Sequence, residues 1–391
     1  MEKENGIVTM AKTFVSHNNL LSNLGFDSET VVENISKGKS GLEKFDDASL
    51  LPEPFCASII SSEKVKNEFS KIGDASAFTK LEQMMLLSLK NVVDASKILL
   101  NENVGLIIST TKGNIDVLEK DSDFPESRAY LSELGKTIQN FFGFKNEAII
   151  LSNACVSGIL AISAAKRFIS EGKYNHVFIT SGDLVTKFIL SGFNSFQALS
   201  AEPCKPYDKN RVGINLGEVA ASALVTSSEE NLPKEAVVIL GDATCNDANH
   251  ISGPSRTGEG LFRSVKSALK EASLNAKEVD YISAHGTATP FNDEMEAIAF
   301  SRLEMENVPL NSLKGYFGHT LGASGLLETI VGMHSMKKNI LFSSKGFAEL
   351  GVSKNINIIK TNTPKTLNTF LKTASGFGGC NTAVIFGKIN N

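Results

Sequence analysis

The sequence predicts an α/β fold made of two related halves, and three observations carry that prediction. Short aliphatic runs at 104–111, 148–151 and 177–180 alternate with segments of helical period. Strand, helix and strand at this spacing imply parallel strands joined by a crossover helix. The pattern then repeats. The run at 104–109 enters Thr110-Thr111-Lys112-Gly113 much as the run at 279–284 enters His285-Gly286-Thr287, and Ser157-Gly158-Ile159-Leu160 opens a helix much as Ser324-Gly325-Leu326-Leu327 does. Two matches in the same order point to a duplicated unit. Finally, 391 residues exceed the size at which a single core keeps growing. The most polar stretch, 227–233, divides the chain into an N-terminal half, 1–230, and a C-terminal half, 231–391.

The elements follow in order. Thr13-Phe14-Val15 reads as a strand, and 28–35 as a short capped helix ending before Gly38. Residues 51–75 read as loops and a short helix. Leu81, Met84, Met85, Leu87, Val92, Val93 and Ile98 recur at helical spacing over 80–100. After the strand at 104–111 come a helix near 126–143, the strand at 148–151, a helix from Cys155 to about Gly172, and the strand at 177–180. Residues 183–216 read as loop, with Phe188, Phe193 and Phe196 among polar neighbours and a turn at 205–213. Small residues at 217–225 return to strand. The second half reads as strand 236–240, helix 258–272, strand 279–284, helix 292–303, a glycine-rich loop at 314–325 and a helix to about Lys338. Strands near 356–360 and 382–386 flank the turn at 375–381.

Composition narrows the function classes. Hydrophobic residues are 42% and charged residues 21%, ordinary for a globular protein even without tryptophan. A net charge of −4 argues against a nucleic-acid footprint. No run has the length of a membrane-spanning helix, and residues 1–10 carry no apolar segment of the signal-peptide kind, so a cytoplasmic protein is expected. The five cysteines (Cys56, Cys155, Cys204, Cys245 and Cys380) are scattered, with no Cys-x-x-Cys pair. Neither a disulfide framework nor a metal site is expected.

Chemistry concentrates at Ile149-Ile150-Leu151-Ser152-Asn153-Ala154-Cys155-Val156-Ser157-Gly158. A buried strand, a tight elbow and a helix beginning near Cys155 would place a thiol at unpaired N–H groups and the positive end of a helix dipole. That setting lowers a thiol pKa and provides donors for an oxyanion. Cys155 taken alone reads more readily as a small buried hydrophobe, which is what most free cysteines are. Of the six histidines, His285 in HGTATP and His319 in GYFGHTLGASG sit at glycine-rich strand-to-loop junctions, where α/β folds place their sites. His176 and His334 read as structural, and His17 and His250 lie in loops without a supporting motif.

These motifs resemble the β-ketoacyl-acyl-carrier-protein synthases, the elongating condensing enzymes of fatty-acid and type II polyketide pathways. The resemblance rests on SNACVSG around Cys155, HGTATPFND from His285, KGYFGHTLGASG from Lys314, SGFGGCN from Ser375 and KPYDKNRVGINLGE at 205–218. It implies the thiolase-like fold, two pseudo-symmetric α/β halves in a five-layer α-β-α-β-α core, usually dimeric. It implies that Cys155 takes an acyl group from acyl-carrier protein, and that N–H groups of Cys155 and Phe377 form an oxyanion hole. His285 and His319 would then act on a malonyl thioester. Lys314 would organise charge near His319 with Glu328 tied to it, and Phe377 and Gly378 would form an oxyanion and gating loop. Thr287 and Thr289 would meet a phosphopantetheine arm. No metal or diffusible cofactor is implied. Lys205, Lys209 and Arg211 are candidates to meet an acidic carrier protein. The first 130 residues are shorter and more divergent than usual for the family, Cys380 stands where a threonine is common, and the 217–220 stretch lacks a second glycine. Such divergence around intact motifs suits a specialised polyene or polyketide pathway. A homodimer and a heterodimer with a related subunit are both open. So are two other readings: a chain-length-factor-type partner, which typically lacks the nucleophile, and a thiolase-type acyltransferase, which needs a different residue set.

Overall fold

The structure, a computed structural model, describes residues 12–119, 122–247 and 253–389. His250 and residues 1–10 therefore lie outside the described residues. The main sheet contains β1 (Phe14–Ser22), β2 (Val104–Ser109), β3 (Ile149–Leu151), β4 (His176–Asp183), β5 (Val219–Thr226), β6 (Val237–Asn246), β7 (Ile282–Ser283), β8 (Leu310–Asn311), β9 (Thr369–Ser375) and β10 (Cys380–Lys388). Their spatial order is β8-β7-β9-β10-β6-β1-β5-β4-β2-β3. Cut between β6 and β1, this becomes the same sheet twice. In each half the second strand pairs in parallel with the third and fourth, and the fifth pairs antiparallel with the fourth and first. A short antiparallel contact, Phe14 to Val238 and Val15 to Val237, joins the halves.

The helices are α1 (Ser28–Ser36), α2 (Ser62–Phe69), α3 (Lys80–Ser96), α4 (Leu131–Phe142), α5 (Ser157–Ser170), α6 (Lys187–Ser195), α7 (Glu259–Ala272), α8 (Pro290–Arg302), α9 (Lys314–Phe317) and α10 (Ser324–Lys338). Alternation along the strands explains the layers. Ile107, Val177 and Ile179 face a central apolar layer with α5 and α10, whereas Leu106, Ile108 and Phe178 face α2, α3 and α4. In the other half Phe370, Val384 and Phe386 face the central layer, and Leu371, Ala383 and Ile385 face α7 and α8. Strands buried on both faces need apolar residues at every position, which is why they read as continuous aliphatic runs. Five layers result, with α5 and α10 in the middle.

The two central helices cross at glycines. A Cβ on Gly158 would lie 2.8 Å from the carbonyl oxygen of Gly322 and from the nitrogen of Leu326, and one on Gly325 would lie 2.5 Å from the nitrogen of Ile159. The two Ser-Gly helix openings thus match because each lets the other approach. The crossing brings the loop before α5 against the loop before α10.

Several elements differ from their sequence-based expectations. The helix after Cys155 starts at Ser157, with Val156 as its cap. Helix α6 lies within the expected loop, capped by Thr186, whose side chain accepts from the Ile189 N–H; its Ser-Gly and Asn-Ser pairs hide it. Strand β9 was not expected, because a lysine interrupts its apolar run. Residues 356–360 contribute an isolated bridge, Ile358 to Leu310, rather than a strand. Phe55–Ser58 forms a buried strand that pairs in parallel with Leu216–Gly217.

Candidate active site

Cys155 sits at the turn between β3 and α5. Ala154 takes a left-handed φ of 43°. The Asn153 N–H donates to the Ser157 hydroxyl oxygen at 2.8 Å, and that hydroxyl donates to the Ala154 carbonyl at 2.7 Å. The turn presents Cys155 to the adjoining cavity, with the residue buried. The expected lowering of the thiol pKa is not met: burial pushes it up to about 11. Lys314 and the backbone N–H groups of Phe377 and Cys155 oppose that rise, while Asp183 adds to it. The physical reason is the dry setting, which disfavours a thiolate. The helix also starts two residues beyond the sulfur, which weakens its dipole there.

His285 follows β7. Its backbone N–H and that of Gly286 donate to the two oxygens of Glu296 on α8, at 2.8 and 2.7 Å, and the Thr287 N–H donates to Asp293 at 2.9 Å. Two buried carboxylates therefore hold this loop. Burial raises the Asp293 pKa to about 7, with the Tyr207 N–H opposing. His319 lies between α9 and α10. Its N–H donates to the Asn215 carbonyl at 2.7 Å, and its carbonyl accepts from the Gly217 N–H at 3.0 Å. Only glycine fits at 217, where a Cβ would lie 1.8 Å from the Phe317 carbonyl oxygen. Asp183 ties the halves together, accepting from Thr110, Thr111 and the Gly322 N–H.

These supports bring Cys155, His285 and His319 together, with their donor atoms within 4.8 Å of one another. The imidazole rings are 5.1 Å apart and nearly perpendicular, at 82°. Among the described residues, neither ring nitrogen of His319, both buried, has a hydrogen-bond partner. Burial, then Lys314, holds both imidazoles well below their ordinary pKa, with His319 adding to the effect on His285 and Lys372 to the effect on both. Both are therefore neutral at pH 7, and each has an N–H to donate. A Cys/His/His set can also ligate a transition metal. Here Lys314 and Lys372 place positive charge beside it, which opposes a resident dication.

Lys314 contacts Glu328 at 2.8 Å and donates to the His285 carbonyl, with His285 Nδ1 at 3.5 Å. Its direct histidine partner is thus His285, where His319 was expected. Lys372, on β9, pairs with the other oxygen of Glu328 at 2.7 Å. Sequence reasoning missed Lys372, Asp183 and Glu296. Lys372 had a readable signal, as a charge inside a short apolar strand.

The cavity over this cluster measures about 530 Å³. Cys155, His285, His319, Thr287, Thr289 and Phe377 line it, and Gly378 does not. The hydroxyls of Thr287 and Thr289 are 2.8 Å apart. Phe377, 37% exposed, stacks on Phe193 and meets Phe196 edge-on at the mouth. Cys380 is on the cavity wall, and its thiol donates to Asn246. Arg211 does not present an exposed charge: it donates to the Asp208 and Gly351 carbonyls and lies 3.7 Å from Asp293, so its guanidinium serves the loop. Lys209 is exposed and paired with Glu349.

Comparison with known proteins gives this arrangement its family. The description "Beta-ketoacyl synthase, N-terminal domain" matches residues 7–231, and "Beta-ketoacyl synthase, C-terminal domain" matches 236–347. A Schizosaccharomyces pombe protein carrying the name of a mitochondrial 3-oxoacyl-[acyl-carrier-protein] synthase is 28% identical, over 93% of this chain and 96% of its own length. A 3-oxoacyl-[acyl-carrier-protein] synthase 2 of Staphylococcus aureus is 26% identical over 94% and 96%. Among solved structures, a complex of a ketosynthase with its chain length factor from Xenorhabdus doucetiae matches with TM-score 0.85 at 23% identity, covering all of both chains. A β-ketoacyl synthase from Burkholderia phymatum matches with TM-score 0.85 at 21% identity, covering 97% of this chain and all of its own. At those identities the structures bear on the fold alone, which is thiolase-like. With both domains matched in order, the chain belongs to the β-ketoacyl synthase family of acyl-transferring condensing enzymes.

Proposed function

We propose that this cavity joins an acyl group to a malonyl unit by decarboxylative Claisen condensation, with both substrates delivered as thioesters on acyl-carrier protein. The observation that carries this reading is the convergence of Cys155, His285 and His319, whose donor atoms lie within 4.8 Å of one another, with both His319 ring nitrogens unpartnered among the described residues. The Cys155 sulfur attacks the acyl thioester. A new sulfur–carbonyl bond forms, and the carrier thiol leaves with the proton from Cys155. Because the resting thiol is neutral, its proton must move as attack occurs, and the adjacent neutral imidazoles are placed to relay it. N–H groups of Cys155 and Phe377 face the sulfur and suit the oxyanion.

The malonyl carrier then occupies the same cavity, its pantetheine amides meeting Thr287 and Thr289. The bond to the carboxylate breaks, CO₂ leaves, and the electron pair remains as an enolate. N–H donors on His285 and His319 stabilise its oxygen, each worth about 3 kcal/mol of barrier. The carbanion attacks the Cys155 thioester, forming the new carbon–carbon bond and releasing the Cys155 sulfur as a thiolate, which takes up one proton from solvent. The product is a 3-oxoacyl chain two carbons longer. Cofactor-free chemistry is part of this proposal, since the substrates themselves supply the leaving CO₂.

A dimer with a second ketosynthase-like subunit fits the half-buried edge strand β3, whose Ile149, Ile150 and Leu151 have no strand on their outer side among the described residues. Lys205 and Lys209 remain candidates for carrier contact. Reconstitution tests the reading: the protein with acyl- and malonyl-carrier proteins, alone and with a candidate partner subunit, should release CO₂ and form the extended 3-oxoacyl carrier. Absence of extended product under both conditions would refute it.

A further inference from the structure

Lys372 occupies the middle of β9 between Phe370 and Ala374, both of which belong to the central apolar layer. It has no exposed surface, a property it shares with Lys314 among the described lysines. A buried ammonium is costly unless paired, so its contacts are informative. Its Nζ lies 2.7 Å from one oxygen of Glu328, while Lys314 holds the other at 2.8 Å. It also donates to the carbonyl of Ser283 at 3.1 Å and faces that of Ala284 at 3.4 Å, the two residues before His285. Lys372 thus braces the end of β7, the carboxylate behind Lys314, and through both the placement of His285. Burial lowers the Lys372 pKa and Glu328 opposes that fall; with Lys372 protonated, two lysines around one glutamate leave a net positive charge behind the imidazoles.

We propose that Lys372 is a positioning residue for the decarboxylating half of the reaction, holding Glu328, Lys314 and His285 in register and adding a fixed positive charge behind the enolate site. The inference rests on the condensing reading above. It separates the two half-reactions because Lys372 braces the histidine side, whereas Cys155 is carried by the opposite half of the fold. A positive charge in a dry site favours the developing enolate and disfavours an imidazolium. The other groups around the imidazoles are Cys155 from the elbow, Lys314 from α9, Glu328 from α10 behind Lys314, and Glu296 from α8 through the His285 N–H. Burial and the cations outweigh these carboxylates, holding both imidazoles below 6.5.

The test compares Lys372→Met, Lys372→Gln and Lys372→Arg with wild type in two assays: acylation of Cys155, and CO₂ release from malonyl-carrier protein across pH. Removing the charge leaves Glu328 paired with Lys314, so no lone buried charge results. Decarboxylation should fall about 10–100-fold in the neutral variants, while acylation changes by less than about threefold. Their acid limb should move to higher pH as the imidazoles lose a neighbouring cation, and Lys372→Arg should keep the wild-type limb. Equal losses in both assays with an unmoved limb, or no loss, would overturn the proposal. Should the neutral variants not fold, Lys372→Arg decides: it must keep the wild-type rate of CO₂ release and the wild-type limb, and a loss of CO₂ release no greater than its loss of Cys155 acylation overturns the role. A wild type that neither acylates Cys155 nor releases CO₂ defeats the condensing reading itself, whereas an active wild type with unchanged variants defeats only Lys372.

Discussion

Replacing Gly158 with alanine tests how the fold sets the site. The new Cβ would sit 2.8 Å from the Gly322 carbonyl oxygen and the Leu326 nitrogen, where ordinary contact begins near 3.4 Å. Both obstacles are backbone, so no side chain can swing aside, and α5 and α10 must part by about half an ångström or more. Overpacking of this kind costs about 1–3 kcal/mol. The functional cost should be larger, because α5 carries the Cys155 elbow and α10 follows the His319 loop. A misplacement of about 1 Å between reacting groups can cost about 100-fold. Acylation of Cys155 depends mainly on the α5 side, so condensation should fall further than acylation. Denaturant unfolding and the two half-reactions measure these effects. Gly192→Ala on α6 is the control: its Cβ meets nothing within 4 Å, and it should stabilise by about 0.5–1 kcal/mol. A Gly158→Ala protein with native stability and unchanged condensation would refute the reasoning.

Other expectations follow from the same geometry. His319→Ala should lower malonyl decarboxylation about 10²–10³-fold while leaving Cys155 acylation much less affected, as read by CO₂ release and intact mass. Phe377→Ala removes the ring that stacks on Phe193; if that ring gates the cavity, hydrolysis of the acyl-Cys155 thioester should accelerate several-fold, on the order of one displaced aromatic contact, and an unchanged acyl-enzyme lifetime counts against a gate. Asp293 has a folded pKa near 7 against an ordinary 3.8, so the folded state binds more protons between those values. Its contribution to stability is therefore fully present below 3.8 and is lost as pH rises through 7. Relative to Asp293→Asn, wild type should gain up to about 1.4 kcal/mol per unit as pH falls across that window. Unfolding curves at about pH 4.5, 5.5 and 6.5 check the sign.

Much of this was legible because local and long-range rules agreed. The aliphatic runs of β2 and β4 are buried on both faces, and glycine-rich junctions marked His285 and His319. The Ser157-Gly158 and Ser324-Gly325 match announced the duplication before either helix could be seen to need the other. What the sequence hid depends on three-dimensional neighbours. Lys372 breaks the pattern of β9 because its partner, Glu328, lies on another helix. Glu296 acts through backbone N–H groups of a separate loop. Arg211 looked like an available surface charge, yet nearby carbonyls and Asp293 engage it. The thiol pKa was misjudged for the same reason: the helix start was visible in the sequence, but complete burial of the sulfur was not.

The central claim is that Cys155 holds the acyl chain while a decarboxylated malonyl unit attacks it. Intact-mass spectrometry after exposure to acyl-carrier protein, followed by a chase with malonyl-carrier protein, tests it most directly. The account predicts an acyl adduct on Cys155, absent in Cys155→Ala, that disappears during the chase as a 3-oxoacyl carrier two carbons longer appears. An adduct that never forms with any acyl donor, or one that persists while malonyl-carrier protein loses CO₂, would contradict it.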